Sequence, residues 1–258
     1  GTISEKLFFN LTRSYISILK ILLQELKKIN IKVNNIDDGK NADCKGAVVT
    51  GFSAGIDSFC TIYDHYVNST STGYKITHLI FNNVGSHDEW NGKKGRKLFN
   101  LRYNLLKGFP EELGLDFIKV DSNLSDILRF DFMQSHVPRN ASVVLMLQKL
   151  FSKYYYSSAH KYIDCGVKPK YAIAKADPIG IHLLSIETLD CISTGCEYSR
   201  LEKTKMVTKI PQAKHWLNIC VKSVDGKNCS TCWKCSRTLL TFEILGIIDD
   251  FKHVFDLE

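Results

Sequence analysis

Short apolar runs alternate with amphipathic segments along the middle of the chain. Residues 47–50 form an apolar run typical of a buried strand, and residues 57–66, which follow, have the apolar spacing of a helix. The same alternation repeats downstream and predicts further strands and helices. The further strands cover 78–82, 117–120, 154–158 and 189–193, and the further helices cover 97–113 and 141–151. This alternation predicts an α/β fold built on a doubly wound parallel sheet.

The two ends of the chain depart from this alternation. Residues 4–29 carry leucine and isoleucine at helical spacing and predict an amphipathic helix, whereas the polar stretch 34–45 predicts a loop. Beyond about residue 206 the pattern changes to cysteine-rich loops and a final helix over 237–245. We therefore expect three parts: an N-terminal helical extension with its linker (1–45), a nucleotide-binding domain (46–205) and a small helical C-terminal subdomain (206–258).

Composition and charge favour an anionic ligand. The 258 residues are 44% hydrophobic, and the formal net charge is +7. This charge suits a ligand such as ATP, although it also tolerates nucleic acid. The densest basic patch predicts a solvated or phosphate-facing loop rather than a nucleic-acid footprint, because the other cations are scattered. The patch comprises Lys93, Lys94, Arg96 and Lys97.

The chain has the features of a cytoplasmic protein. It has no run of 18 apolar residues, the length that a membrane span needs, and the N-terminal segment is too charged for a signal peptide. Nine cysteines without a secretory signal indicate a reducing compartment. There, spaced cysteines are more often metal ligands or catalytic groups than disulfides.

A turn of small residues directly after the first predicted strand has the features of a phosphate-binding loop. Successive backbone N–H groups in such a turn, with the N-terminus of the next helix, can hold a pyrophosphate. Ser53 and Ser58 can donate hydroxyls to phosphate oxygens, and Asp57 can cap the helix and help hold Mg²⁺. The alternative is a plain strand-to-helix turn capped by Asp57. The segment is Gly51-Phe52-Ser53-Ala54-Gly55-Ile56-Asp57-Ser58.

Four cysteines near the C-terminus have the spacing of a metal site. Thiolates separated by two residues fold back onto one ion, and a fourth thiolate closes the tetrahedron, so we expect a structural Zn²⁺. An iron–sulfur cluster and a set of buried thiols without metal are the alternatives. Trp233 and Lys234, between the cysteines, are expected to be exposed loop residues. The cysteines are Cys220, Cys229, Cys232 and Cys235, in the pattern C-x8-C-x2-C-x2-C.

These motifs together resemble those of one enzyme family. The stretch 53–58 resembles the Ser-Gly-Gly-x-Asp-Ser signature of PP-loop ATP pyrophosphatases, with Ala54 in place of the first glycine. Alanine adds only a methyl group, which the loop tolerates if φ is negative there. The stretch 137–140, Val-Pro-Arg-Asn, resembles the Val-Pro-x-Arg-Asn segment of 7-cyano-7-deazaguanine synthases, with one residue missing. Those synthases also have a C-terminal zinc site of the same cysteine spacing, so the resemblance extends from about residue 47 to residue 237.

The resemblance implies a Rossmann-like PP-loop fold and an adenylating activity. In that family ATP presents its α-phosphorus to a substrate oxygen, the adenylate forms with release of pyrophosphate, and a nitrogen or sulfur nucleophile displaces AMP. Here ammonia is the expected nucleophile. The nucleotide site would comprise Gly51, the stretch 53–58 and Phe81. The expected catalytic residues are Asp57, Ser58, Arg139, Arg200 and Lys203.

Each of these cations has a structural alternative. Arg139 follows Pro138 at a predicted helix start and could be an exposed residue of the first turn. Arg200 and Lys203 could lie on a surface helix, paired with glutamates three residues away. Further candidates are assigned no firm role: His87 and Asp88 as parts of a lid, Arg237 beside the cysteines, Cys60 as a buried apolar residue, and the tyrosines 154–156 as strand core.

The expected acceptor stays open because the substrate segment differs from that of the synthases. Where they carry Tyr-Pro-Asp-Cys-Arg, this chain has 177–180 and then 189–205, part of which is similar to asparagine-synthase-like PP-loop proteins. A small or base-like molecule is expected, and a protein or tRNA partner is also considered. The alternatives are a tRNA thiolase that uses Cys191 or Cys196, and a nucleotide- or partner-binding module without turnover. A homodimer is the default oligomeric state.

Overall fold

The computed structural model describes residues 1–27, 29–40, 43–87, 92–169 and 173–257. The described strands are β1 (Thr2–Ser4), β2 (Asn35–Asp37), β3 (Ala47–Gly51), β4 (His78–Asn83), β5 (Asp116–Asp121), β6 (Phe151–Ser157) and β7 (Asp190–Thr194). The described α-helices are α1 (Glu5–Asn10), α2 (Ile16–Leu22), α3 (Ile56–Ile62), α4 (Gly92–Leu106), α5 (Gly108–Leu113), α6 (Leu124–Leu128), α7 (His136–Met146), α8 (Asp177–Gly180), α9 (Arg200–Val207), α10 (Ala213–Trp216) and α11 (Trp233–Ile244). The π-helical segment Leu11–Tyr15 joins α1 to α2, and another, Tyr63–Val67, extends α3. Short 3₁₀ turns cover Thr72–Tyr74, Phe132–Gln134, Tyr162–Asp164, Ile173–Ala176, Ile181–Leu184 and Ile248–Phe251.

A parallel sheet forms the centre of the described structure and confirms the predicted α/β class. Its five strands have the spatial order β5-β4-β3-β6-β7. All neighbouring strands pair in parallel. The chain moves outward from β3 through β4 to β5, and then returns to the other side of β3 for β6 and β7. The boundary between β3 and β6 is therefore the place where a parallel sheet usually binds its ligand, beyond the carboxyl ends of the strands.

Helices cover both faces of this sheet. Because side chains alternate along a strand, Val48 packs into one buried cluster and Val49 into the opposite one. The first cluster holds residues of α3, α4, α5, α9, α10 and α11. The second holds residues of α2, of α7 and of the 3₁₀ turns Ile173–Ala176 and Ile181–Leu184, together with Tyr15. The central strands are therefore buried on both faces. This burial explains why the sequence of these strands is a near-continuous apolar run.

The N-terminal region differs from its prediction in two ways. The helix expected over 4–29 ends at Leu22, because Leu23 leaves helical geometry and the next polar side chains are exposed. Part of the predicted loop 34–45 is β2, which pairs with β1 in a separate two-stranded parallel sheet. Such a short exposed strand has no apolar alternation, so its pairing could not be predicted from pattern.

Two predicted helices have different bounds for identifiable reasons. The segment 97–113 is two helices, α4 and α5, because Pro110 has no N–H for a hydrogen bond to Leu106 and fits only the first turn of a new helix. The helix expected over 141–151 is α7, which begins at His136. Pro138 is tolerated in its first turn, and Phe151 belongs to β6, where it is buried in the core.

The C-terminal segment packs on the same core as the sheet. Phe242 of α11 stacks on Phe251 with a centroid distance of 4.0 Å, and both belong to the buried cluster that contains Val48. Helix α11 begins at Trp233, directly after Cys232, and so starts four residues before the predicted helix 237–245. Within the described residues, every helix is too short or too polar to cross a membrane.

Candidate functional site

The turn between β3 and α3 begins the candidate site. It leaves the sheet at Gly51 and enters helical geometry at Ile56. The backbone N–H of Phe52 donates to the carbonyl of Ile80 at 2.9 Å, and the carbonyl of Ala54 accepts from the N–H of Asn218 at 2.7 Å. These bonds tie the turn to β4 and to the C-terminal segment, so its shape depends on two distant parts of the chain.

Alanine was expected to replace the glycine of the signature without strain if φ is negative at this position. Ala54 does not meet that condition. Its φ is +55°, in the left-handed region, and its side chain is fully buried. A non-glycine residue costs about 1–2 kcal/mol in this region. The next residue, Gly55, is the extended N-cap of α3 with φ −85°. The turn therefore carries backbone strain at one residue, directly before the N-cap of α3.

The turn lines a cavity. Its two serines, Ser53 and Ser58, lie on the cavity wall with Gly51, Gly55, Ile56 and Asp57. Ser58 donates its hydroxyl to the carbonyl of Gly55 at 2.9 Å, so its proton stabilises the first turn of α3. No side-chain cap is formed at Gly55 within the described structure, and Asp57 therefore does not play the capping role expected for it.

Asp57 instead holds two cations of α9. Its Oδ2 lies 3.0 Å from Arg200 Nη2, and its Oδ1 lies 3.0 Å from Lys203 Nζ. Helix α9 begins at Arg200 because Ser199 and Glu202 form a reciprocal capping box, which fixes the position of both cations. The predicted catalytic trio Asp57, Arg200 and Lys203 is thus brought together, with Lys203 buried and Arg200 partly exposed.

The turn opens into a cavity of about 500 Å³ at the carboxyl ends of β3, β4 and β6. Among the described residues that line it, the charged ones other than Asp57 are cations. Burial lowers the pKa of Lys234, and the neighbouring Arg200 and Arg237 add to this effect. The wall therefore favours an anion. These cations are Arg102, Arg200, Lys234 and Arg237.

Lys234 is a cavity-lining cation that the sequence prediction missed. It lies in the first turn of α11 and faces the cavity instead of an exposed loop. Its neighbour Trp233 is exposed, as predicted, and Arg237 lies over its ring at 5.0 Å. The spacing of Lys234 and Arg237, three residues apart at the start of a helix, was a signal that both could lie on one face.

Arg139 lies away from the cavity wall formed by the described residues. Its guanidinium is buried and donates to Ser135 Oγ at 2.7 Å, to Ser125 Oγ at 2.9 Å and to the carbonyl of Val84 at 2.9 Å. It also donates to the carbonyl of Phe130. These bonds join the loop after β4 to the segment around α6. The exposed position considered as the structural alternative is wrong, and the direct role with substrate stays a prediction.

The other wall of the cavity is formed by aromatic and amide side chains. Phe81 lines it and stacks on Phe99 with a centroid distance of 5.2 Å. Tyr154 and Tyr156, expected as strand core, also line it, since alternate residues at the end of β6 share one face. His87 lies there as well, and burial together with Arg102 lowers its pKa to about 4, so it is neutral at pH 7. Asp88, its expected partner in a lid, lies outside the described residues.

The candidate thiols lie in the protein interior. Cys60, Cys191 and Cys196 are all fully buried. Burial raises the pKa of Cys60 and of Cys191 to about 12, which keeps both thiols protonated. Cys60 is thus the buried apolar residue that was expected. A thiol of this kind is a poor nucleophile, because the thiolate is the reactive form.

The four C-terminal cysteines form a compact cluster that is compatible with zinc. Their sulfurs all lie within 4.8 Å of one another. The Cys220 and Cys232 sulfurs are 3.9 Å apart, and those of Cys232 and Cys235 are 3.5 Å apart. A tetrahedron with 2.3 Å Zn–S bonds places its sulfurs about 3.8 Å apart. Hydrogen bonds from Thr231 lower the pKa of Cys229 to about 6, which favours the thiolate that a metal needs.

The cluster and the cavity share structure. Cys220 itself lines the cavity, and Arg102 donates to the carbonyl of Cys220 at 2.8 Å. Cys232 and Cys235 flank the first residues of α11, which carries Lys234 and Arg237. A metal held by these sulfurs would therefore set the position of two cavity cations.

Comparison with known proteins does not assign this chain to a family. No protein-family model matches it, and no curated protein matches it either.

Proposed function

We propose that this chain is a PP-loop enzyme that uses ATP to adenylate a substrate oxygen, releases pyrophosphate and then forms a carbon–nitrogen bond. The observation that carries the proposal is the turn 52–55, which opens between β3 and β6 onto a cavity whose wall is cationic. Backbone N–H groups at a helix start, with nearby cations, suit a polyphosphate. The proposal includes the fold type: the parallel sheet with its turn 52–55 would be a Rossmann-like PP-loop fold.

The cations have two roles in this proposal: one of them positions Asp57, and the others bind the phosphates of the nucleotide. Lys203 is buried and donates to Asp57 and to the carbonyl of Ser158, so its charge holds Asp57 in place. Arg200 is 30% exposed, and the hydrogen bond that the structure gives its guanidinium is to Asp57. A bound triphosphate would draw Arg200, Lys234 and Arg237 toward the pyrophosphate that leaves, where the developing negative charge needs stabilisation.

The residues present fit a Mg²⁺ ion that arrives with the nucleotide. Mg²⁺ is usually held by one or two carboxylates together with substrate phosphates, and Asp57 is the carboxylate among the described lining residues. When bound, the ion would neutralise phosphate charge. Both oxygens of Asp57 already hold cations. The phosphates of the nucleotide would therefore have to supply most of the contacts to the Mg²⁺ ion.

Formation of AMP and pyrophosphate tests the proposal directly. The purified protein is incubated with ATP, Mg²⁺ and ammonium, with and without 7-carboxy-7-deazaguanine, and AMP, ADP and pyrophosphate are quantified. Asp57→Asn should abolish turnover because it removes the negative charge that holds both α9 cations. Asp116→Asn is the matched control, since Asp116 is exposed on β5 and pairs with His78 at 3.4 Å.

The products discriminate among the possible functions. AMP and pyrophosphate that depend on the added acceptor support the synthase reaction, and ADP would refute adenylation. ATP binding without turnover would favour a partner-binding module or a different acceptor. The burial of Cys191 and Cys196 gives the tRNA thiolase alternative no support, and full activity of Cys191→Ser and Cys196→Ser would remove it.

A further inference from the structure

A pair of asparagines in the cavity wall leaves one hydrogen-bond acceptor open. Asn82, near the end of β4, and Asn140, on α7, both line the cavity. Asn82 is only 9% exposed. Its Oδ1 is buried and has no hydrogen-bond partner within the described part of the chain. A buried acceptor of this kind is costly unless a ligand or water supplies a donor.

The orientation of both amides follows from a backbone carbonyl. Asn140 Nδ2 donates to the carbonyl of His136 at 2.8 Å, one helical turn earlier. Its Oδ1 must therefore face Asn82, and it accepts from Asn82 Nδ2 at 3.2 Å. Flipping either amide would set two donors or two acceptors against each other. The open group of Asn82 is accordingly an acceptor, and its ligand must present an N–H or O–H.

The position of Asn82 suits the base of a nucleotide whose phosphates lie in the turn 52–55. Gly51, the last residue of β3, pairs with Ile80, so Asn82 lies two residues further along the neighbouring strand. With a rise of about 3.3 Å per residue and a strand spacing of about 4.8 Å, Asn82 is roughly 8 Å from the start of the turn. A ribose and a purine ring span such a distance, and Phe81, the residue before Asn82, also lines the cavity.

We propose that Asn82 Oδ1 accepts a hydrogen bond from the exocyclic amino group of adenine and so selects ATP among the purine nucleotides. This inference rests on the proposed nucleotide site. Inosine and guanosine triphosphates carry a carbonyl oxygen at that position, and two acceptors would then face each other. The amide pair Asn82–Asn140 is therefore a specificity device, distinct from the cations that hold the phosphates.

Equilibrium binding of three nucleotides tests this inference without an acceptor substrate. Calorimetry with Mg²⁺ compares ATP, purine riboside triphosphate, which has hydrogen in place of the amino group, and ITP. We expect ATP to bind about 2- to 12-fold more tightly than purine riboside triphosphate, because this factor corresponds to the net contribution of one hydrogen bond. ITP should bind less tightly than either. Asn82→Leu should reduce the ratio between ATP and purine riboside triphosphate to about one.

Asn83→Leu is the matched control, because Asn83 is the next residue of β4 and donates to Asp121 at the surface. It should keep the wild-type ratio. Asn82→Ser, a smaller change, replaces Asn82→Leu if the latter does not fold. Equal affinity of the wild-type protein for ATP and purine riboside triphosphate would overturn the inference while leaving the proposed function intact, as would an unchanged ratio in the Asn82 variant. Failure of all three nucleotides to bind would overturn both.

Discussion

Replacement of Lys203 by methionine removes a buried cation and keeps a side chain of similar length. Lys203 is 2% exposed, and its Nζ lies 3.0 Å from Asp57 Oδ1. It also donates to the carbonyl of the fully buried Ser158. In Lys203→Met, Asp57 keeps its hydrogen bond from Arg200 but loses the one from Lys203, and the carbonyl of Ser158 loses the Lys203 donor.

The expected loss of stability follows from these contacts. Breaking a buried ion pair by removing one partner costs about 3–5 kcal/mol. The cost should be at the lower end here, because Asp57 is 27% exposed and retains Arg200. A buried carbonyl left without a donor costs about 1–3 kcal/mol and is part of that figure. We expect about 3 kcal/mol for Lys203→Met, against about 1 kcal/mol or less for the partly exposed Arg200→Met.

Urea unfolding, followed by circular dichroism, measures both variants together with Asp57→Asn and the double variant Asp57→Asn/Lys203→Met. The double variant should lose less than the sum of its single variants, since each single change leaves the same pair broken. ATP affinity should show the opposite order, with the greater loss in Arg200→Met. Arg96→Met is the control, because Arg96 pairs with Asp121 at the surface at 2.8 Å. If Lys203→Met were no more destabilising than Arg200→Met, Lys203 would not be the anchor of Asp57.

Three further predictions follow from the strained turn, the cysteine cluster and a buried histidine. Ala54→Val should cost at least about 2 kcal/mol in a thermal unfolding measurement, because a β-branched side chain fits poorly at φ +55°, while Ala54→Gly should stay near the wild type since relief of strain offsets the lost methyl group. The protein should contain one zinc per chain by elemental analysis; Cys232→Ser should lose it and be destabilised, whereas Cys44→Ser, outside the cluster, should retain it. Because the folded-state pKa of His87 is lowered to about 4, its contribution is complete above about pH 6.5 and is lost as the pH falls toward 4. Urea midpoints should therefore show a loss of about 2 kcal/mol between pH 7 and pH 5 from this group, which His87→Gln removes; an unchanged pH dependence in that variant would contradict the assignment.

The parts of the candidate site that the sequence predicted are local ones. The turn 51–58 joins a strand to a helix through small residues, and Cys229, Cys232 and Cys235 lie close together along the chain, at the start of α11. In both cases the residues that define the feature are close along the chain, so spacing alone limits their geometry. The inner strands of the five-stranded sheet were predictable for a similar reason, because burial on both faces leaves a continuous apolar run.

The sequence by itself thus determined the parallel α/β class, the position of the turn and the spacing of the four-cysteine cluster. Tertiary structure decided which distant side chains meet: Asp57 and Arg200 are separated by 143 positions, and Asn82 and Asn140 by 58. It also directed the guanidinium of Arg139 onto the segments around Val84 and α6, and it gave Ala54 a left-handed φ. Periodicity and spacing describe one element at a time. Contacts between elements depend on how whole faces pack, and that packing is specified by the entire core.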